Sequence, residues 1–285
     1  MATLIPPERV RHLATPYEGL QVIHAQDASH LSRDWACSLR DVQLAALAAG
    51  VIPLRYARNV GTIGAEGQAR LLQSTVTIVG LGGLGGYISE ALARMGVGRL
   101  VLIDTDVFEE HNLNRQLVST ESNQGAAKAL EAAKRVQSVN SAVEATALVA
   151  RLAPENVNEM LCGSDVVVDA LDRLPIRLTL QKGAQALGIP MVHGSIAGFI
   201  GQVMTIFPDD DGLFALYGSD ENAVPEQGME AVIGTPAATP MAVAAWEAQE
   251  VVKVLTGIGR PLRNRLLILD METGSVETIH VGVPD

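Results

Sequence analysis

The sequence predicts an α/β protein: a Rossmann-like, mainly parallel sheet flanked by helices, with antiparallel strands near the C-terminus and an N-terminal helical extension. Three observations carry this reading. The β-branched run Val76-Thr77-Ile78-Val79 passes directly into Gly80-Leu81-Gly82-Gly83-Leu84-Gly85-Gly86 and then into an amphipathic stretch, the order of a phosphate-binding βαβ opening. Short apolar runs then alternate with helical segments, as parallel strands joined by crossover helices do. Beyond Pro240 one helical stretch is followed by two short strand-like runs.

Taken in order, residues 1–52 carry little glycine and form the extension. Leu31, Trp35, Leu39, Val42 and Ala46 recur at i, i+3 or i+4, which predicts one helix over about Ala28–Ala49. Residues 53–285 form the main domain. Strands are expected at Thr75–Val79, Arg99–Ile103, Val143–Val149, Val166–Val168 and Met191–His193, with helices between them, including Gly125–Val139 and about Arg173–Leu187. Gly201–Phe207 reads as a further strand, and Pro208-Asp209-Asp210-Asp211-Gly212 as a turn. Residues 212–240 show little periodicity and much Gly, Pro and charge, so they read as a long crossover loop, of the kind that is functional or mobile. Pro240 starts a helix to about Leu255, closed by Gly257, and strands Arg265–Asp270 and Ser275–Val281 follow.

The glycine turn points to a nucleotide. Gly80, Gly82 and Gly85 fit the G-x-G-x-x-G spacing: one glycine for the tight turn, one for phosphate approach, one for helix–strand packing. The helix behind them offers unpaired N–H groups and a positive dipole end. Asp104 ends the next strand at roughly the 20-residue distance at which such folds hold a ribose hydroxyl. Asp106 either joins it or caps the next turn. The connection that follows, through Glu109, Glu110, Asn112, Asn114 and Arg115, lies over the carboxyl ends of the strands. Arg115 and Lys128 suit a polyphosphate better than a redox dinucleotide, because they stabilise charge at phosphorus. Asp169 and Asp172 follow the strand Val166–Val168 toward the same edge, Asp169 reading as support, and capping of the next helix is the other reading for one of them. His193 reads as a packed or hydrogen-bonded strand-end residue.

These pieces resemble the ThiF/MoeB/HesA family, bacterial relatives of the ubiquitin-activating enzymes. The resemblance runs from about Leu54 to Val281. It rests on Arg55-Tyr56-x-Arg58-Asn59, Gly67-Gln68, Gly80-x-Gly82-Gly83-x-Gly85, Asp104-x-Asp106, Asn112-Leu113-Asn114-Arg115-Gln116, Gly125-x-x-Lys128, Asp169-x-x-Asp172 and Gly201-Gln202-Val203. It implies ATP and magnesium as cofactors and adenylation of the C-terminal carboxylate of a small ubiquitin-like sulfur-carrier protein. It further implies that Gly80, Gly82, Gly83, Gly85 and Asp106 line the nucleotide site and that Asp104 holds the ribose. Asn112, Arg115 and Lys128 would hold phosphates, Asp172 the magnesium ion, and Arg58 the ATP of the partner subunit in a homodimer. A surface charge before a helix is the other reading of Arg55 and Arg58.

Composition narrows the partners. The 285 residues are 48% hydrophobic and carry a net charge of −11, which disfavours nucleic acid. No run approaches the roughly 18–20 apolar residues of a membrane span, and Met1–Arg11 lacks a signal-peptide layout, so the expected location is cytoplasmic. The two cysteines, Cys37 and Cys162, offer neither a zinc spacing nor a disulfide framework. Both are read as structural, which leaves adenylation without zinc or a cysteine nucleophile. An NAD-dependent oxidoreductase, a non-catalytic partner subunit, and adenylation of a peptide or small-molecule carboxylate are the competing readings.

Overall fold

The computed structural model describes residues 5–226 and 230–282, with backbone only for 230 and 231. The extension begins with α1 (Pro7–His12), the hairpin β1 (Thr15–Tyr17) and β2 (Leu20–Ile23), α2 (Ala25–Asp34), α3 (Leu39–Ala48) and β3 (Ile52–Pro53). The single expected helix over 28–49 is therefore two helices. Ala36 adopts φ 46° between them, and Ser38 restarts the second. Its hydroxyl accepts the Asp41 N–H at 3.1 Å, while Asp41 Oδ2 accepts the Ser38 N–H at 3.1 Å. Such a reciprocal cap is worth about 1 kcal/mol and outcompetes a continuous helix here. The β1–β2–β3 sheet is a further difference from the all-helical expectation.

After α4 (Ala57–Gln73) the main domain alternates β4 (Thr75–Val79), α5 (Gly85–Met95), β5 (Arg99–Ile103), α6 (Lys128–Val139), β6 (Glu144–Leu148), α7 (Val157–Leu161), β7 (Val166–Asp169), α8 (Leu174–Ala186), β8 (Met191–Ala197) and β9 (Ile200–Ile206). The crossover segment expected as a loop contains two short helices, α9 (Leu213–Tyr217) and α10 (Glu230–Ile233); residues 227–229 of it lie outside the described residues. Then come α11 (Ala238–Thr256), capped by Gly257 at φ 70°, and strands β10 (Arg265–Asp270) and β11 (Ser275–His280).

Among the described residues the main sheet runs β11-β10-β9-β8-β7-β4-β5-β6. Strands β8, β7, β4, β5 and β6 are parallel, and β9, β10 and β11 extend them antiparallel. One apolar layer under α5, α6 and α11 buries Ile78, Ile88, Leu92 and Val251; the other, under α7 and α8, buries Val79, Ile103, Leu161 and Leu178. Each such fully buried side chain contributes about 1.5–3 kcal/mol. The chain order places β5 and β7 on opposite sides of β4, so the connections leaving β4 and β7 part at the carboxyl edge and open a crevice there. No described helix is long and apolar enough to cross a membrane.

Candidate nucleotide-binding site

The crevice is shaped first by backbone. Gly80 leaves β4 at φ 91°, and a Cβ there would lie 2.5 Å from the Ala170 carbonyl oxygen. A Cβ on Gly85 would stand 1.9 Å from the Gly80 oxygen. Neither position admits another residue without moving β4, β7 or α5. Gly82 and Gly83 face the cavity itself. The first N–H groups of α5 stand at the edge of this turn.

Asp104 ties the turn to β5. Its Oδ2 accepts the Leu81 N–H at 2.7 Å and its Oδ1 the Asp106 N–H at 2.8 Å. Burial pushes its carboxyl upward, opposed by those two bonds and by the Lys128 charge. Two oxygens offer about four acceptor sites, so acceptor capacity remains toward the cavity. Asp106 carries Lys128 twice: its carbonyl accepts the Lys128 N–H at 2.9 Å, and its Oδ2 lies 3.1 Å from Nζ. Arg115 Nη1 donates to the His111 carbonyl at 3.0 Å and to Asn114 Oδ1 at 2.8 Å. Burial lowers its guanidinium pKa while the Asp172 charge opposes this. Asp172 is exposed to the cavity and forms no hydrogen bond with another described residue.

The cavity of about 410 Å3 therefore gathers Gly80, Gly82, Gly83, Asp104, Asp106, Arg115, Lys128 and Asp172. Gly85 stands behind the turn. Asn112 is buried below it, with Oδ1 accepting the Glu109 N–H at 3.0 Å and its carbonyl accepting the N–H groups of Arg115 and Gln116. It shapes the loop that presents Arg115 and does not line the cavity. Arg58, on α4, pairs with Glu18 of the β1–β2 turn at 2.8 Å, also away from the cavity. Several lining residues escaped the sequence reading: Gln116, Arg151, Leu152, Ile176, Arg177 and Thr235. Gln116 stood inside the recognised run, and a lone arginine in Pro175-Ile176-Arg177-Leu178-Thr179-Leu180 was the available signal for Arg177.

Behind the cavity lies a buried polar cluster. His193 Nδ1 lies 2.7 Å from Asp169 Oδ2, and Arg177 Nη1 lies 3.8 Å from the same oxygen. Burial lowers the His193 pKa, which Asp169 only partly offsets, so the imidazole is neutral and donates from Nδ1. Asp169 is pushed up by burial but held net below its usual range by Arg177 and His193. On the other face of β8, the Glu247 carboxyl fills the space left by Gly194, where a Cβ would lie 2.2 Å from Cδ. Among the described residues neither Glu247 oxygen has a hydrogen-bond partner, and burial, reinforced by Asp169, pushes its pKa well above normal. Cys162, expected to pack before β7, is instead exposed just after α7; Cys37 is partly buried, which raises its thiol pKa.

A glycine turn, a strand-end carboxylate and convergent cations at the switch point of a parallel sheet define a nucleotide-binding α/β enzyme. The ThiF family model matches residues 56–285, and the chain belongs to that family. It is an adenylyltransferase, and the family uses ATP. The chain is 40% identical over 229 residues to the SAMP-activating enzyme E1 of Haloferax volcanii, covering 79% of this chain and 84% of that protein. It is 37% identical over 242 residues to the sulfur carrier protein adenylyltransferase of Thermus thermophilus, covering 80% and 86%. The Escherichia coli MccB structure with MccA-N7isoAsn shares the fold, with a TM-score of 0.69 at 21% identity over 81% of this chain and 72% of that one.

Proposed function

We propose that this chain activates the C-terminal carboxylate of a small ubiquitin-like sulfur-carrier protein as an acyl-adenylate. The observation that supports this most directly is the single cavity that combines the glycine turn, Asp104, Arg115, Lys128 and Asp172. The carrier's carboxylate oxygen bonds to the ATP α-phosphorus as the α–β bridging P–O bond breaks, and pyrophosphate leaves. A C-terminal carboxylate is already ionised near neutral pH, so no general base is required. Catalysis is then positioning and charge neutralisation. The turn and the α5 N-terminus receive the phosphates, Asp104 the ribose, and Arg115 and Lys128 the developing charge. Arg58 of a second protomer adds to this in a homodimer. The Thermus thermophilus relative's name supplies the sulfur-carrier substrate class.

Magnesium fits the donor set. Asp172 is one exposed carboxylate with both oxygens available, and among the described residues no group of three or more His, Cys, Asp or Glu side chains forms a cage. One carboxylate plus substrate phosphates and waters is the usual arrangement for this ion. When bound, magnesium neutralises phosphate charge. We further propose that no zinc and no cysteine nucleophile take part: the chain holds only Cys37 and Cys162, and neither lines the cavity.

ATP–pyrophosphate exchange tests this reading. Exchange should require a carrier ending in Gly-Gly with a free carboxylate and should vanish with its C-terminal amide. Equal exchange with the amide, or with no carrier at all, overturns it. A tail peptide that serves as well as the folded carrier shifts the substrate class to peptides.

A further inference from the structure

We propose that Asp169, His193 and Arg177 are positioning residues that aim the Asp172 carboxylate into the nucleotide cavity. This rests on the ATP–magnesium reading above. The peptide groups that lead into Asp172 are held from both ends. The Leu171 N–H donates to Asp169 Oδ1 at 3.1 Å, and the Leu171 carbonyl accepts from Arg177 Nη2. Arg177 Nη1 also donates to the Gly194 carbonyl at 3.0 Å, which anchors the guanidinium to β8. His193 Nδ1 donates to the other Asp169 oxygen at 2.7 Å. All three side chains are buried: 0% exposed for Asp169, 1% for His193 and 6% for Arg177.

The ordinary alternative is that the cluster only holds β7, β8 and α8 together. Two features argue for more. A buried ion pair is weak evidence for stability, because desolvation offsets the attraction, so retaining three such groups calls for another consequence. The hydrogen bonds also converge on one residue, Leu171, whose successor is the exposed carboxylate. Ala170, just before it, packs on Gly80, so the same backbone sets the spacing between Asp172 and the phosphate turn. Loosening the cluster therefore moves Asp172 relative to the phosphates while β4, Arg115 and Lys128 stay in place. A lysine at position 177 keeps the charge but cannot reach the Leu171 and Gly194 carbonyls through one rigid fork.

The experiment is calorimetric binding of ATP with magnesium chloride and of ATP in excess chelator, for wild type, Arg177→Lys, Asp172→Asn and the double variant. Outer partners of metal ligands typically change metal affinity by about 10–100-fold. Arg177→Lys should lose that much of the magnesium-dependent gain in ATP affinity, over and above any loss in chelator that follows from Arg177 bordering the cavity. In the Asp172→Asn background the same change should have no further effect, because coupled residues are not additive. Equal losses with and without magnesium, or losses that multiply in the double variant, overturn the positioning role. His193→Gln, which leaves Arg177 in place, carries the same test if Arg177→Lys fails to fold, and an unchanged magnesium gain in it counts against the proposal. A wild type whose ATP affinity ignores magnesium overturns instead the assignment of Asp172 on which the inference rests.

Discussion

Lys128 Nζ lies 3.1 Å from Asp106 Oδ2, a pair in which the lysine side chain is 8% exposed and the carboxylate 60%. The ammonium is thus held at the cavity wall by a partner that water solvates freely, and its aliphatic stem packs at the start of α6. Lys128→Met keeps the stem and removes the charge. ATP–pyrophosphate exchange should fall by about 10²–10³-fold, as for other lost charge stabilisers. The melting temperature should stay close to wild type, and a variant that exchanges at the wild-type rate removes the lysine from the chemistry.

Among the described residues the Arg115 side chain hydrogen-bonds only within its own loop, to His111 and Asn114, so its removal breaks no side-chain hydrogen bond between elements. Arg115→Ala should lose most exchange and less than about 2 kcal/mol of stability. Urea titration alongside the exchange assay separates the two effects.

Arg58 sits outside the cavity formed by its own chain, paired with Glu18 on the surface. Such a pair contributes about 0–1 kcal/mol, so Arg58→Ala should fold normally. Arg58→Ala and Asp172→Ala should each be inactive alone. Mixing them with subunit exchange should restore about a quarter of the sites, since half of randomly paired twofold dimers are hybrids with one intact site. No recovery despite exchange shown by mass spectrometry argues against shared sites.

Glu247 binds its proton more tightly in the folded chain than in the unfolded one. The sign follows from linkage: its contribution is fully present below the ordinary glutamate range and is lost as pH rises toward the raised folded value. Glu247→Gln does not titrate. Its melting temperature should therefore gain on wild type progressively as pH rises above the ordinary glutamate range. A gap that stays constant over that rise means that Glu247 ionises alike in both states.

Cys162 is exposed and Cys37 partly buried, and neither borders the cavity. The double change Cys37→Ser, Cys162→Ser should keep adenylation, with a stability loss arising mainly at Cys37, where a hydroxyl replaces a partly packed thiol. The purified protein should contain no stoichiometric zinc by atomic absorption. A trapped covalent carrier adduct on either cysteine overturns the cysteine-free route.

The strands Thr75–Val79, Arg99–Ile103 and Arg265–Asp270 were legible to the residue, because short apolar runs between turn signals leave the backbone little choice. The glycine turn was legible for the same reason: sterics at Gly80 and Gly85 are local facts. What escaped depended on distant partners. The β1–β2 hairpin contains Pro16 and no alternation, and its one cue is Glu18-Gly19. The break at Ala36 lacks Gly or Pro, and the Ser38–Asp41 cap was the cue. Arg177 and Glu247 lie in helical runs, and only the sheet behind Arg177, through Asp169 and the Gly194 carbonyl, explains a charge there. Asn112 and Arg58 illustrate the converse: a motif names residues, while the loop decides which of them face the cavity.

The cavity walls come from the separated stretches 79–84, 103–106, 115–116, 150–152 and 170–177, together with Lys128, Ile196 and Thr235. Strand β7 pairs with β4 but follows β5 and β6 in the chain. A nascent chain stopped before residue 166 thus owns the glycine turn, Asp104, Arg115 and Lys128 but lacks one whole wall, including Asp172. The cavity is thus complete only where the second half of the sheet stands beside the first.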